Sequence, residues 1–352
     1  MPPRVAVVLF NLGGPDSPEA IKPFLLNLFK DPAILRVPAL IRPFLARIVA
    51  KARLKPASEN YALLGGRSPL LGLTREQARA LEGALPELDA RCFIAMRYWH
   101  PFIEETAREV REWQPDEVVL LPLYPQFSTT TTGSSLSAWR KEAARIGLAA
   151  QTTTVCCYPT EAAFVASTVA LIAAAWEQAR AALAPEIRLR LLFSAHGLPE
   201  VIVRQGDPYK WQVEQTVAAV LAQFHRPDLE WAVCYQSRAT PQSWIGPSTE
   251  QEVERAARDK TAVLVVPIAF VSDHSETLVE LDVEYRELAD SLGVPGYFRV
   301  PAQNANALFI GALAGIVRTA RSVGPGLVTL TGPGNCPPDR RDCPQCCPRM
   351  AA

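Results

Sequence analysis

The sequence predicts an α/β protein of two similar domains, each with a parallel sheet flanked by helices. Two observations predict it. Short runs rich in Val, Leu and Ile alternate with longer stretches of helical character, the pattern of parallel strands joined by crossover helices. The pattern also occurs twice in the same order, which predicts a duplicated domain.

The first matching pair is residues 5–15 and 189–199, each an apolar strand that breaks into a turn containing Gly and Pro. Next, residues 93–98 lead to Trp99 and His100 as residues 231–235 lead to Gln236 and Ser237. Last, residues 118–125 are echoed by 262–269, each run followed by a loop rich in Ser or Thr and then a helix. The boundary is expected in the helical stretch 160–187. This gives domains of residues 1–165 and 166–325 and a Cys-rich tail of residues 326–352.

A chain of 352 residues with 49% hydrophobic composition can bury two ordinary cores. Lys plus Arg and Asp plus Glu both total 36, so no whole-molecule field favours a polyanion and a nucleic-acid partner is not expected. Residue 4 runs directly into a strand with no signal-peptide pattern, so the expected location is cytoplasmic and the eight cysteines are expected to be reduced. The longest strongly apolar helix candidate, residues 162–176, is shorter than the ~20 residues a bilayer span needs and is expected to be a buried core helix.

Ligands of open parallel sheets gather beyond the carboxyl ends of the strands. There this sequence keeps Asn11, Arg97, Tyr98, the Ser and Thr loop 128–135, His196, Gln236 and residues 273–276. A histidine at a strand end is usually structural. His196 has a stronger claim, because Gly197 and Pro199 in the turn SAHGLP fix the backbone around it.

Residues 272–285 read SDHSETLVELDVEY, which spaces Glu276, Glu280 and Glu284 four apart, on one face of a helix. Like charges at that spacing cost an isolated helix roughly 0.2–0.5 kcal/mol per pair. The ladder therefore either binds cations or protons, or is a solvated acidic face whose first turn suits the helix dipole. Carboxylates and imidazole suit a divalent ion that must bind and then leave. They also take protons near neutral pH.

Eight motifs in order, NLGGP (11–15), Tyr61 with GGRSP (65–69), MRYWHP (96–101), LYPQ (123–126) with TGSS (132–135), SAHGLP (194–199), GDPY (206–209), WIGP (244–247) and residues 272–285, resemble those of ferrochelatases. The likeness covers roughly residues 5–310. It implies two Rossmann-like, chelatase-like domains with a porphyrin cleft between them, where the ring is bent and two pyrrole protons are exchanged for the substrate Fe(2+). A flat porphyrin keeps its nitrogen lone pairs in the ring plane, so binding energy from the periphery must distort it before metal can enter.

By the same resemblance His196 accepts pyrrole protons, with iron ligation as a competing role, and Glu276 is the essential carboxylate. Asp273, His274, Glu280 and Glu284 match an acidic path for iron or protons. Arg53, Tyr61 and Ser68 match positions near the porphyrin propionates, where an Arg fork and hydroxyls suit carboxylates. Arg97, Tyr98 and Trp244 match positions around the ring, with core packing the alternative for Trp244. Leu12 stands where some members have Met, a volume-conserving change. Arg67 replaces a commoner Gly.

Residues 22–55 hold eight cations, one acid, Asp31, and many large apolar side chains. They read either as core helices with solvated basic faces or as an apolar lip that docks peripherally on the inner face of the cell membrane, and the resemblance favours the lip. In the tail, Cys336, Cys343, Cys346 and Cys347 fall within twelve residues, a metal-site spacing that suits zinc or an iron-sulfur cluster. The resemblance favours [2Fe-2S]. Thr129 to Thr132 stand where animal members place a body cysteine, so Cys157 or its neighbour Cys156 is expected to join Cys336, Cys343 and Cys346. Cys92 and Cys234 read as packing residues.

The expected function is insertion of Fe(2+) into protoporphyrin IX, the terminal step of haem biosynthesis, with protoporphyrin preferred to the more polar coproporphyrin because of the apolar lip. Another tetrapyrrole chelatase, inserting cobalt or nickel, and a non-enzymatic haem- or metal-binding protein are the alternatives. Monomer and homodimer are both compatible with the sequence.

Overall fold

The computed structural model describes residues 3–226, 228–237, 242–330, 337, 342 and 343. In chain order the elements are β1 (Arg4–Asn11), α1 (Ile21–Lys30), α2 (Arg42–Leu63), α3 (Leu70–Gly83), β2 (Asp89–Met96), α4 (Ile103–Trp113), β3 (Glu117–Pro122), α5 (Thr132–Ile146), β4 (Gln151–Val155) and α6 (Ala162–Ala182). There follow β5 (Leu189–His196), α7 (Glu200–Arg204), α8 (Tyr209–Gln223), β6 (Glu230–Gln236), α9 (Thr249–Arg258) and β7 (Ala262–Pro267). A π-helical segment (Glu276–Glu284), α10 (Tyr285–Ser291), β8 (Tyr297–Arg299), α11 (Ala307–Val323) and β9 (Gly326–Val328) complete it.

Met1–Cys157 together with Leu313–Thr329 form one compact unit, and Tyr158–Ala312 form the other. The first unit holds a parallel sheet in the order β2-β1-β3-β4-β9. Its centre is β1, whose residues 5–10 are all fully buried, as a parallel strand covered on both faces requires. On one face Ala6, Val8 and Phe10 pack with Val118 and Leu120 of β3, Val110 of α4 and Trp139 of α5. Phe10 and Trp139 meet edge to face with centroids 5.8 Å apart. Asn11 pairs with Met96 and Phe10 with Pro122, so the loops carrying Arg97 and Tyr124 leave the sheet beside the Asn11 turn.

The second unit repeats the plan. Its parallel sheet runs β6-β5-β7-β8, the same order as β2-β1-β3-β4. The three sequence pairs thus correspond to β1 and β5, β2 and β6, and β3 and β7. His196 pairs with Gln236 and Ser194 with Pro267, bringing three loops to the carboxyl edge beside His196.

Two features depart from the sequence expectation. The units divide at Cys157, and residues 313–329 return to the first unit because β9 pairs with β4 and the Cys156 amide donates to the Val328 carbonyl at 2.7 Å. With only three residues, β9 has too little apolar pattern to announce itself. The apolar helix α6 runs on to 21 residues, N-capped by the Glu161 carboxylate on the Phe164 amide. It is longer than expected, and long and apolar enough to cross a membrane by length and composition alone, with a third of that apolar stretch buried. Phe164, Ile172, Ala175 and Ala179 form its buried side, and the helix contacts α8, β7 and β8.

Phe10→Ala should cost about 3–5 kcal/mol in denaturant unfolding, because it empties a fully buried site that packs against Trp139. A loss below about 1 kcal/mol would show that Phe10 is not a core anchor.

Candidate active site

In the second unit the site begins where β5 ends. His196 directs Nδ1 at Glu276 Oε2, 2.9 Å away. His274 brings Nε2 to 3.7 Å from the same oxygen, while its Nδ1 donates to the Ser272 carbonyl. Burial acts to depress the His196 pKa, but the charge and hydrogen bond of Glu276 outweigh it and the pKa is raised. Burial would raise Glu276 too; the His196 charge and hydrogen bond, helped by His274, instead hold it far below the carboxylate range. The outcome is a hydrogen-bonded imidazole-carboxylate pair in which the carboxylate favours a proton on the ring and the His196 Nε2 edge is turned away from Glu276.

The expected α-helical acidic ladder is in fact π-helical from Glu276 to Glu284, a form in which i→i+5 bonds replace the usual ladder and which frequently marks functional sites. Its acids have separate environments. Glu276 meets the histidines, whereas Glu280 accepts from Gln236 Nε2, the Ser237 amide and the Tyr285 hydroxyl, each at 2.8 Å, and from the Ser237 hydroxyl at 2.5 Å. Ser237 adopts a left-handed φ of 66°, a strained conformation that lets its amide and hydroxyl meet one carboxylate. Burial and the neighbouring Glu276 charge push the Glu280 pKa up, against the pull of these donors. Glu284 is exposed.

Asp273 faces other partners: Thr277 Oγ1 at 2.9 Å, Asn304 Nδ2 at 2.8 Å and Arg299 Nη1 at 3.1 Å. Arg299, with a side chain 10% exposed, also grips both oxygens of Asp282 at 2.6 and 2.7 Å. This pins both ends of the segment that presents Glu276.

Gly197 explains how Trp244 approaches His196. A Cβ there would stand 2.8 Å from the Gln236 carbonyl oxygen and 3.3 Å from the Trp244 ring, so only glycine permits this packing. The Trp244 loop is held by the Ile245 amide on the Leu198 carbonyl at 3.0 Å.

The first unit gathers a different set. A Cβ on Gly14 would overlap the Ser68 side chain at 2.5 Å and lie 3.8 Å from the Tyr61 hydroxyl, so the glycine lets both approach the β1 turn. Arg67 needs no left-handed conformation, because Gly65 and Gly66, with φ of 75° and 82°, make the turn. Arg53 is half-buried and has no hydrogen bond or ion pair among the described residues. Arg97 and Tyr98 converge on the Asp31 carboxylate, at 2.7 Å from Nη2 and 2.9 Å from the phenol.

Cys157 and Cys343 are buried, and Cys156 and Cys157 pack with Phe127 and Leu327. Cys336 and Cys346 lie outside the described residues, among which no three His, Cys, Asp or Glu side chains form a metal-binding group. Sequence reasoning missed Asp31, Arg299 and Asn304 as organisers of the site. Only Asp31 carried a signal, as the single acid in a basic segment.

Because Glu276 raises the His196 pKa, the ring should titrate above its ordinary 6.5, and Glu276→Gln should move the midpoint to lower pH. Titration of the His196 ring protons by NMR reads this directly. An unmoved midpoint in the variant would contradict the pairing.

A profile of the family described as Ferrochelatase matches residues 4–321. A protein of Caulobacter vibrioides named Ferrochelatase is 53% identical, covering 98% of each chain, and one of Hyphomonas neptunium with the same name is 50% identical, covering 97% of this chain and 95% of its own. Among solved structures, SirB from Bacillus subtilis with Fe3+ superposes with a TM-score of 0.51 at 13% identity, covering 90% of this chain and 95% of that one, which is a likeness of fold. With the motifs, the duplicated sheets and these relatives in agreement, the chain belongs to the ferrochelatase family.

Proposed function

We propose that the protein inserts Fe(2+) into protoporphyrin IX, giving protohaem and two protons at the close of haem biosynthesis. The observation that carries this reading is the His196–Glu276 pair. With Nδ1–H held by the carboxylate, neutral His196 presents the Nε2 lone pair as a base. It takes a pyrrole N–H proton, and Glu276 stabilises the imidazolium that results. Ferrous iron replaces the two protons, so the charge balances: a neutral ring and a dication give a neutral metalloporphyrin and two H+.

The acids form the second part of the proposal. Glu276 remains anionic, Glu280 holds a proton more readily, and Glu284 reaches solvent, a gradient suited to passing protons or iron. Asp273 shapes this segment through Arg299, and His274 helps hold Glu276. Arg53, Tyr61 and Ser68 are assigned to the propionates, and Arg97, Tyr98 and Trp244 to the ring.

The preference for protoporphyrin over coproporphyrin rests on the segment at the start of α2. Leu40 is 96% exposed, and Ile41, Phe44 and Ile48 are exposed near Arg47, Lys51 and Lys55. Apolar side chains with basic anchors suit peripheral docking on the anionic inner face of the cell membrane, where an apolar porphyrin partitions.

For the tail we propose a structural [2Fe-2S] cluster on Cys157, Cys336, Cys343 and Cys346. The buried, apolar setting of Cys157 is compatible with a cluster ligand. No step of metal insertion is assigned to it. Anaerobically purified protein should contain iron and acid-labile sulfide in equal amounts, both lost in Cys343→Ser; zinc without sulfide would overturn this assignment.

The reaction itself is tested by anaerobic incubation with Fe(2+) and each porphyrin, following loss of free-porphyrin absorbance over many turnovers. Protoporphyrin should be consumed faster than coproporphyrin. Tight binding of either without consumption would replace catalysis by a binding role.

A further inference from the structure

Asp31 stands at the C-terminal end of α1, the one acid in the basic stretch 22–55. Its side chain is only 2% exposed. Oδ1 accepts the Ala33 amide at 2.8 Å. Oδ2 gathers three donors: Arg97 Nη2 at 2.7 Å, the Tyr98 phenol at 2.9 Å and the Ser134 hydroxyl at 2.5 Å. The Ser134 oxygen in turn accepts Arg97 Nε at 2.7 Å, so carboxylate and hydroxyl hold two nitrogens of one guanidinium. Ser134 lies in the first turn of α5, where the helix dipole also favours the carboxylate. Asn27 of α1 donates to the Tyr98 carbonyl at 3.2 Å.

This arrangement constrains both neighbours. Arg97 has a long, flexible side chain that is 23% exposed, and its pose depends on what grips its inner edge. Tyr98, buried beside the anion, stays a neutral donor: burial pushes its pKa up and the Asp31 charge adds to the effect.

We propose that Asp31 is a positioning residue for metal insertion, holding Arg97, with the buried Tyr98 bracing the same carboxylate, in the pose in which Arg97 meets the porphyrin. The proposal rests on the porphyrin-side reading of Arg97 given above. Asp31→Asn keeps the shape of the side chain but removes the charge, freeing Arg97 to leave the pocket.

A double-mutant cycle on the full chain tests it, with Asp31→Asn, Arg97→Leu and the double variant compared with the parent protein. A residue that acts through Arg97 has nothing left to position once Arg97 is gone, whereas a general structural defect multiplies through unchanged. Asp31→Asn should lower kcat/KM by about tenfold or more in the parent but by less than about twofold in the Arg97→Leu background. Equal factors in both backgrounds, or parent-like activity of Asp31→Asn, would overturn the proposal. If Asp31→Asn does not fold, Ser134→Ala carries the same cycle, because it removes a donor to the carboxylate and the acceptor of Arg97 Nε. The cycle is also read on protoporphyrin affinity by fluorescence quenching. Coupling in affinity without turnover by the parent protein supports Asp31 and sinks metal insertion, while turnover with additive effects does the reverse.

Discussion

A carboxylate 2.9 Å from an imidazole, both half-buried, is the contact on which the chemistry depends. Such a pair stays in place only where the backbone leaves it no alternative. The buried run 189–195 of β5 fixes one side, with Gly197 admitting Trp244 behind it, and Arg299, through Asp273 and Asp282, fixes the other. The same surroundings separate the two acids of the segment. Glu276 faces imidazole and stays charged; Glu280, raised by burial and its own neighbour's charge against the pull of neutral donors, holds a proton more readily.

The duplicated sheets show how one plan yields two chemistries. Asn11 occupies in β1 the strand-end position that His196 occupies in β5. Its amide is consumed by local structure, donating to Thr74 at 3.1 Å and accepting the Leu12 amide at 2.8 Å, so it shapes the turn and has no proton to exchange near neutral pH. Charge in the first unit instead enters through Arg97 and is answered by Asp31. One copy provides acid-base groups, and the other provides a cation with fixed bearings.

Much of this was legible in the sequence. The repeated strand-turn pattern revealed both sheets because central parallel strands need continuous apolar runs, and the turn around His196 marked a rigid strand end. What escaped depends on contacts distant along the chain. The attachment of β9 to β4 rests on three residues, and the π-helical form of residues 276–284 reflects tertiary bonds to Gln236 and Ser237 that four-residue spacing cannot report. Arg299 looks like any strand-end arginine until Asp273 and Asp282 fold against it, and Asp31 meets Ser134 across 103 residues. Glu280 looks equivalent to Glu276 in the sequence and differs only through what surrounds it.

In the proposed reaction His196 removes pyrrole protons as iron enters. The most direct measurement mixes porphyrin-loaded protein with Fe(2+) anaerobically in weak buffer and follows metal insertion and proton release together in a single turnover. Two protons per iron are expected in the parent protein, and in His196→Ala a fall of at least about 100-fold in both rates with porphyrin binding retained. Insertion at a near-parental rate in that variant would contradict it.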